Sequence, residues 1–407
     1  MLATSPLRWL VLFGVWVIYC TFGLVVTSLA PLVKLIEHDL AMSHAQMGGV
    51  MGAWQLVYIV AALPCGILLD RLGSRWALLL GTLCVAASAY GRSRADSFAG
   101  LLAAVMLFGV GGPIISAGAP KVIAHWFQGQ SRGFAMGIYI TGPAVGGVVS
   151  LTLTHGWLLP YFDQDWRQIL TLWAALAALS GVLWFALASL PGIRHIADER
   201  QHSTQAPHSQ VLLSLLARPA VRLVLGMAVG VFLIGHGLTN WLPEMLVHGG
   251  MPAVEAGYWS AIPTIIGIIG SLSIPRLAIP ARRFAILAWL CGALLIASLL
   301  LQFTTPTLLL PGLILQGIAR STLTTVLVLT LVELPDIGTR NAGMALGLFF
   351  GAGEIGGMLG PLILGVLYDA THGFVVGLGL FTVIALGLVA GVWRLRGLAY
   401  GRGRALA

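Results

Sequence analysis

Two ionisable residues lie in the middle of long apolar stretches of the sequence. Arg320 falls about thirteen residues into the run 307–331, and Glu354 about twelve residues into the run 342–367. At a rise of about 1.5 Å per residue, both would lie near the centre of a membrane-spanning helix. An ionised side chain at that depth costs about 2.5–3.5 kcal/mol on insertion scales, so such residues usually bind an ion, a substrate or each other.

Three interpretations of this pair are open. In the first, Arg320 and Glu354 form a structural salt bridge, as ion pairs often do. In the second, Arg320 binds an anionic substrate while Glu354 takes up and releases a coupling proton. In the third, Glu354 binds a lipophilic cation and Arg320 is displaced. The second is favoured, because an arginine that keeps its charge needs an anion nearby.

Uncharged polar and aromatic residues inside the apolar runs are candidates for the lining of a cavity. Each also has a simpler interpretation, because an isolated Tyr, Gln or Thr in a membrane helix often only bonds a neighbouring helix. A lone histidine in such a run is more often a packing residue than a proton carrier. We nominate Tyr19, Gln55, Tyr58, Tyr139, His236, Asn240, Gln316 and Thr324.

The elements that carry these residues follow from composition. Of 407 residues, 58% are hydrophobic and 9% are charged, against about 25% charged in a soluble protein. The apolar runs are close to the roughly 20 residues that cross a bilayer as a helix, and they lack the alternation of a membrane β-barrel. The sequence therefore predicts an all-α membrane protein. Its twelve transmembrane helices are expected near 9–30, 46–69, 76–91, 98–120, 133–155, 167–189, 221–242, 256–275, 284–302, 307–331, 342–367 and 374–393.

The basic residues predict orientation. The net charge of +8 is spread over short loops, which does not indicate a nucleic-acid partner. If both termini are cytoplasmic, seventeen of the 22 Lys and Arg residues lie on that side. The opposite side holds Lys34, Arg92, Arg94 and Arg167, and Arg320 lies within a run. This bias predicts a multi-pass protein of an inner membrane with both termini in the cytoplasm.

An internal repeat predicts two pseudo-symmetric six-helix bundles, residues 1–190 and 220–407, joined by a cytoplasmic linker at 191–219. The segment AMGIYITGPAVGG at 135–147 matches ALGLFFGAGEIGG at 345–357, at an offset of 210 residues. The first run of each half also matches, at an offset of 212, through Gly23 and Gly235, Thr27 and Thr239, and Pro31 and Pro243. Such repeats are typical of transporters that bind a solute between their halves and rock one half against the other.

A charged motif follows the second run, with the sequence GILLDRLGSR at 66–75. Asp70 lies at the same face as the start of the eleventh run, whose helix N-terminus carries partial positive charge, so this carboxylate is expected to latch the two halves. Arg71 and Arg75 would also fix topology. The corresponding segment of the second half, 275–283, has no acidic residue.

This motif, with Gly66, Asp70, Arg71, Gly73 and Arg75, resembles the signature loop of the major facilitator superfamily. The segment 142–147 resembles the core of that family's fifth-helix motif. The resemblance covers the whole chain. It implies a cavity built from helices one, two, four, five, seven, eight, ten and eleven, and a loop that stabilises the outward-facing state. The motifs are more similar to organic-anion, cyanate or nitrate-type permeases than to sugar porters.

The glycine pairs of the fifth and eleventh runs are predicted to be packing surfaces or hinges, because small residues let helices approach closely in lipid. This set contains Gly142, Pro143, Gly146, Gly147, Gly353, Gly356 and Gly357. The GxGxxG pattern at 351–356 follows no strand, which excludes a dinucleotide site. We find no hydrolase or phosphate-loop motif and no CxxC spacing, and we expect no enzymatic activity, cofactor or metal.

The expected function is secondary active transport of a small solute by alternating access. A small organic or inorganic anion, moved with proton coupling or by exchange, is the favoured substrate. The expected partners are that anion, protons or a counter-substrate, and the lipid bilayer, with no nucleic acid, and the protein is expected to be monomeric. One alternative is proton-driven export of hydrophobic or cationic drugs, which the partial fifth-helix motif favours. Another is a transporter-like sensor that binds without turnover.

Overall fold

The structure, a computed structural model, describes residues 6–197, 208–303, 305–334 and 337–400. These residues are almost entirely helical and include no strand. Residues 198–207 of the predicted linker lie outside the described ranges. The helices are α1 (Leu7–Thr27), α2 (Val33–Leu40), α3 (His44–Ser93), α4 (Phe98–Trp126), α5 (Gly129–Tyr139), α6 (Gly142–Leu153), α7 (Leu159–Tyr161), α8 (Trp166–Ala188), α9 (Pro191–Ala197), α10 (His208–Leu216), α11 (Pro219–His248), α12 (Ala253–Ser273), α13 (Arg283–Leu300), α14 (Pro306–Val332), α15 (Gly338–Thr371) and α16 (Val375–Tyr400).

Eleven helical segments in the described ranges are long and apolar enough to cross a membrane. One of them, α3, has 50 residues, or about 75 Å at 1.5 Å per residue, far more than one crossing needs. It breaks at Gly73, whose φ of 74° and ψ of 163° are not helical and suit only glycine. Its two arms correspond to the second and third predicted runs. With the arms counted separately, the described residues contain the twelve membrane helices that the sequence predicts.

The fifth predicted run is not one continuous helix. It is divided into α5 and α6, and a π-helical turn, Thr154–Leu158, follows α6. Pro143 lies in the first turn of α6, where its ring and missing N–H prevent the preceding helix from continuing unbroken. The amide of Thr141 instead donates to the carbonyl of Ile138 at 3.0 Å, a tighter turn. Tyr139 therefore lies at the end of α5.

Contacts divide the chain into two compact units. Unit 1 contains Met1–Ser203 and Pro252–Ala261, and unit 2 contains Thr204–Met251 and Ile262–Ala407. In unit 1, α1 packs on α6 and α8, and α3 packs on α4 and α8. In unit 2, α11 packs on α15 and α16, and α13 packs on α14 and α16. The same set of helix pairs thus occurs in each unit, in agreement with the internal sequence repeat.

Glycines let the central helix of each unit approach its neighbour at backbone distance. In unit 1, a Cβ atom at Gly146 of α6 would overlap the carbonyl oxygen of Cys20 on α1. In unit 2, a Cβ atom at Gly356 of α15 would overlap the carbonyl oxygen of Val229 on α11. Hydrophobicity does not drive helices together in lipid, so such close contacts supply much of the packing energy.

The Gly356→Ala substitution is expected to lower the thermal stability of the protein in detergent, because the added methyl forces α11 and α15 apart. Overpacking of this kind costs about 1–3 kcal/mol. The matched control is Gly351→Ala on the same helix, where a Cβ atom would meet nothing within 4 Å. Thermal unfolding of the purified variants measures the difference. Equal melting temperatures for both variants would contradict the packing role of Gly356.

Candidate functional site

Arg320 lies in the middle of α14 and reaches α11. Its Nη1 donates a hydrogen bond to the Thr239 hydroxyl, which in turn donates to the Gly235 carbonyl oxygen at 2.7 Å. A Cβ atom at Gly235 would lie 3.3 Å from Cγ and 3.4 Å from Cδ of Arg320. The absence of a side chain at Gly235 thus makes room for the arginine stem, and the Thr239 hydroxyl fixes its charged end.

Glu354 lies in α15 and is 8% exposed. Its Oε2 atom is buried and has no hydrogen-bond partner. Among the residues that the structure describes, neither Glu354 nor Arg320 forms an ion pair. The structural salt bridge, the first of the three interpretations, is therefore not present in this structure, where Arg320 is bound by the neutral Thr239 instead.

A cluster of aromatic rings in unit 2 is centred on Phe232 of α11. The Phe232 ring on α11 lies against Gly353, where a Cβ atom would be 3.0 Å from the ring. The same ring is 5.8 Å from the His236 imidazole, measured between ring centres. It also makes edge-to-face contacts with Phe349, at 6.2 Å, and with Phe350, at 6.3 Å. The Phe232 ring thus covers Gly353, the residue that precedes Glu354 in α15.

The other nominated residues of unit 2 differ in their burial and in their hydrogen bonds. Gln316 lies one helical turn before Arg320 and is 2% exposed, with no hydrogen-bond partner for its Oε1. Asn240 donates from its side-chain amide to the carbonyl of His236 at 2.9 Å, a bond within its own helix. His236 interacts electrostatically with Arg320. Thr324 is half-buried on α14, one turn after Arg320.

Three of the nominated tyrosines lie together in unit 1. The Tyr19 ring is 5.3 Å from the Tyr139 ring and stacks on Phe22 at 5.7 Å, between ring centres. The Tyr58 ring lies beside Gly112 of α4, where a Cβ atom would be 3.3 Å from it. Tyr19 also interacts electrostatically with both other phenols. Phe22 and Gly112, which are not among the nominated residues, also belong to this cluster.

Ser116, which the sequence does not single out, extends the tyrosine cluster. It lies within hydrogen-bonding reach of Tyr19 and donates to the carbonyl of Gly112 at 2.9 Å. The cluster in unit 1 therefore combines hydroxyl and ring groups. The nominated Gln55 is fully buried in α3.

Arg92, which the sequence places in the loop after the third run, lies in the last turn of α3. Helix α3 continues to Ser93, and Arg92 is 1% exposed. Its Nη1 donates to the Val25 carbonyl at 2.8 Å and to the Ser28 hydroxyl at 3.3 Å, and its guanidinium lies 5.6 Å from the Phe108 ring centre. The last carbonyls of α1 carry partial negative charge, which offsets the buried cation. Arg92 thus closes the end of α1.

Asp70 of the charged motif binds a residue of its own unit. Its Oδ1 accepts from the Lys121 ammonium of α4 at 2.6 Å. Arg71 is exposed, and a Cβ atom at Gly66 would meet nothing within 4 Å. Lys121 lies 51 residues beyond Asp70 and outside the motif, so the sequence pattern does not identify it as the partner. The latch role of Asp70 stays a prediction.

Arg75, the last residue of the motif, is 8% exposed and lies against α8. Its Nη1 donates to the Ser189 hydroxyl at 3.5 Å, and its guanidinium lies 5.5 Å from the Trp76 ring centre and 5.4 Å from that of Phe185. These contacts tie the second arm of α3 to α8 within unit 1.

The Asp70→Asn substitution is expected to slow transport far more than Lys121→Gln, if Asp70 acts as a latch in addition to its ion pair. Both side chains are about 30% exposed, and an exposed ion pair contributes only about 0–1 kcal/mol. Initial uptake rates of the two variants in proteoliposomes provide the test. Equal loss in both single variants, with recovery in the charge-swapped Asp70→Lys, Lys121→Asp double variant, would assign Asp70 to the ion pair alone.

The corresponding loop of unit 2 obtains its acidic partner from another helix. Arg283, at the start of α13, binds Glu333 at the end of α14 at 2.7 Å. It also donates from Nε to the Ala278 carbonyl at 3.3 Å. Glu333 follows Lys121 by 212 residues, the offset of the first-run repeat. Lys121 and Glu333 thus occupy equivalent positions of the repeat with opposite charges, and each binds a residue of the other sign in its own unit.

The glycine set of the fifth run lies along α1. A Cβ atom at Gly142 would be 3.0 Å from the Trp16 carbonyl oxygen, and one at Gly147 would be 3.1 Å from the Thr27 hydroxyl. The carbonyl of Pro143 occupies the space beside Gly23. In α15, Gly357 is buried beside Gly356. A hinge role for any of these residues stays a prediction.

The helix pairs repeated in both units and the glycine-rich seams define a fold that can be compared with known proteins. The profile of the Major Facilitator Superfamily matches residues 15–361. The chain belongs to the Major Facilitator Superfamily. As a member, it is a multi-pass membrane transporter and not an enzyme. In the described ranges, no group of three or more His, Cys, Asp or Glu residues could hold a metal ion.

Three relatives show that proteins similar to this chain differ in the substrates that their names state. The uncharacterized transporter YycB of Bacillus subtilis (strain 168) is 26% identical over 370 residues, which cover 88% of this chain and 86% of that protein. The probable galactarate/D-glucarate transporter GudP of the same organism is 23% identical, with 91% and 88% covered. The quinolone resistance transporter of Acinetobacter baumannii is 26% identical, with 86% and 84% covered.

A solved structure supports the same fold. The crystal structure of the nucleoside transporter NupG superposes with a TM-score of 0.74. The match covers 97% of this chain and 99% of NupG, at 14% sequence identity. At that identity, the likeness shows the fold and leaves the substrate to be argued from the residues of the site.

Proposed function

We propose that this transporter moves a small organic or inorganic anion by alternating access, with proton coupling or by exchange. The observation that carries the proposal is Arg320, a permanent cation in the middle of a membrane helix whose only hydrogen-bond partner among the described residues is the neutral Thr239 hydroxyl. A guanidinium does not discharge under physiological conditions. An apolar surrounding makes its charge costly, and an anionic solute removes that cost.

Glu354 supplies the coupling site. Its helix, α15, and the helix of Arg320, α14, both pack on α11. A buried carboxylate oxygen without a donor lacks the hydrogen bonds that water would provide, and binding of a proton removes the charge that makes this burial costly. Binding of an anion at Arg320 and of a proton at Glu354 adds no net charge to the apolar interior. This balance favours joint uptake and is the physical basis of the coupling.

The remaining nominated residues provide recognition and movement. In unit 2, the proposed solute-contacting residues are Gln316, Asn240, His236 and Thr324. In unit 1, they are Tyr19, Gln55, Tyr58 and Tyr139. Conformational roles belong to the loop 66–75 and to the glycines of α6 and α15. The name of the relative GudP, a probable galactarate/D-glucarate transporter, supports an organic anion as the substrate.

The proposal includes a location. The excess of Lys and Arg in the loops on one side favours an inner membrane with both termini in the cytoplasm. We also propose that the working unit is a monomer. Accessibility of single cysteines at the termini to a membrane-impermeant reagent, in intact and opened cells, tests this orientation.

Reconstitution of the full chain in proteoliposomes tests the function. We expect an imposed inward proton gradient to drive accumulation of at least one small carboxylate or inorganic anion. A protonophore should abolish the accumulation, and an excess of unlabelled anion should exchange with labelled anion. Absence of both binding and flux for every anion would overturn the proposal. Binding without flux would indicate a sensor instead.

Drug export is the second candidate function. The similarity to the quinolone resistance transporter favours it, as does the buried carboxylate of Glu354. In that case, Glu354→Gln would abolish proton-driven movement of lipophilic cations, and Arg320→Ala would leave it intact. The same proteoliposomes, loaded with a lipophilic cation in place of an anion, separate the two functions.

A further inference from the structure

We propose that the aromatic cluster of Phe232, His236, Phe349 and Phe350 selects anions with a flat, apolar body. The substrate is then an aromatic carboxylate and not a polyhydroxylated acid or an inorganic anion. The inference rests on the proposed function, because it assigns the charged group of the solute to Arg320. It concerns unit 2 alone.

The first step is the arrangement of α11. Phe232, His236 and Thr239 follow one another at spacings of four and three residues, so they lie on one face of the helix. Thr239 at one end of this face holds the Arg320 guanidinium. Phe232 and His236 are both half-buried on this face. A carboxylate bound at Arg320 would therefore extend its body along two rings.

The second step is the support of the rings. The Phe232 ring is seated on Gly353, with ring atoms 3.0–3.1 Å from where a Cβ atom would be. Phe349 is fully buried and meets the Phe232 ring edge-to-face, with an interplanar angle of 80°. Phe350 adds a second edge at 72°. The ring is thus held in one orientation, which reduces the entropy lost on binding another flat group.

The third step is the shortage of polar groups. The Thr239 hydroxyl already donates to Gly235 and accepts from Arg320, and the Asn240 amide donates within its own helix. The recorded neighbours of the Phe232 ring are Gly353 and the rings of His236, Phe349 and Phe350, so hydroxyls of a sugar diacid placed against this ring would meet mostly apolar surface. Unpaired hydroxyls in a desolvated site lose affinity, so such acids are disfavoured.

Equilibrium binding to the purified full-length protein tests the inference. The probes are benzoate, cyclohexanecarboxylate, acetate, gluconate and nitrite, which separate the charge from the shape and polarity of the body. We expect benzoate to bind at least about tenfold more tightly than each of the others. The benzoate-to-cyclohexanecarboxylate ratio is measured on the unmodified protein, so this result does not depend on any variant folding.

Two variants then locate the selectivity. Phe232→Leu, which keeps an apolar side chain, is expected to bring benzoate to the affinity of cyclohexanecarboxylate. Phe303→Leu, at an exposed phenylalanine outside the ring cluster, is expected to change nothing. Equal affinity for all five anions, or tightest binding of gluconate, would overturn the inference while the anion function stands. Absence of binding for all five, or binding that Arg320→Ala leaves unchanged, would overturn the proposed function itself.

Discussion

Arg320→Ala is expected to weaken anion binding by at least about thirtyfold and to reduce proton-driven uptake to the level of empty liposomes. Removing one partner of a desolvated, hydrogen-bonded charge pair costs about 2 kcal/mol or more, and each 1.4 kcal/mol is about a factor of ten in affinity. The fold should survive, because the Thr239 hydroxyl keeps its bond to the Gly235 carbonyl and the variant removes an unpaired buried charge.

Binding isotherms and uptake rates for two further variants complete this test. Arg320→Lys retains the charge but loses the planar fork that matches a carboxylate, so its affinity should be intermediate. Arg94→Ala is the control, because Arg94 is exposed and its guanidinium lies over the Tyr90 ring, 5.1 Å from the ring centre. Normal binding and uptake by Arg320→Ala would refute the anion scheme.

Glu354→Gln is expected to abolish accumulation against a gradient while exchange of anion for anion continues. Glutamine keeps the size and polarity of the side chain but cannot release a proton in the physiological range. One pH unit corresponds to 1.36 kcal/mol, which can drive roughly tenfold accumulation when one proton accompanies one anion. That accumulation should disappear in the variant, and the affinity for the anion should change little.

Accumulation under an imposed pH difference, followed by exchange in its absence, measures the two activities on the same vesicles. Glu255→Gln provides the control, because Glu255 is an exposed carboxylate in the first turn of α12. Proton-driven accumulation that persists in Glu354→Gln would place the proton on another residue. Loss of exchange as well would show that Glu354 is needed for binding and not only for coupling.

The helices were predictable because a bilayer requires every backbone group in its apolar interior to be satisfied within the segment. Hydropathy therefore finds the spans, and the loop 66–75 marks the change of direction at Gly73. The third span, predicted to end near residue 91, continues to Ser93 and includes Arg92. A charge normally ends an apolar run, but here the Val25 carbonyl near the end of α1 accepts from the buried guanidinium.

The candidate site was predictable only in part. Arg320 and Glu354 stand out from the sequence because charge is rare at such depth. Their partners do not, because the choice between Glu354 and Thr239 depends on how α14 crosses α11. Gly235 and Thr239 were visible in the internal repeat as positions that match Gly23 and Thr27. The repeat alone gives no reason to expect that a side chain from α14 fills the space above Gly235.

The two ion pairs, Asp70 with Lys121 and Arg283 with Glu333, limit which residues the two halves can exchange. Lys121 and Glu333 occupy equivalent positions of the repeat, 212 residues apart, but carry opposite charges. Glutamate at position 121 would place a like charge beside Asp70, and lysine at position 333 would place one beside Arg283. A segment of one half that includes this position therefore cannot replace its counterpart in the other half without loss of an ion pair.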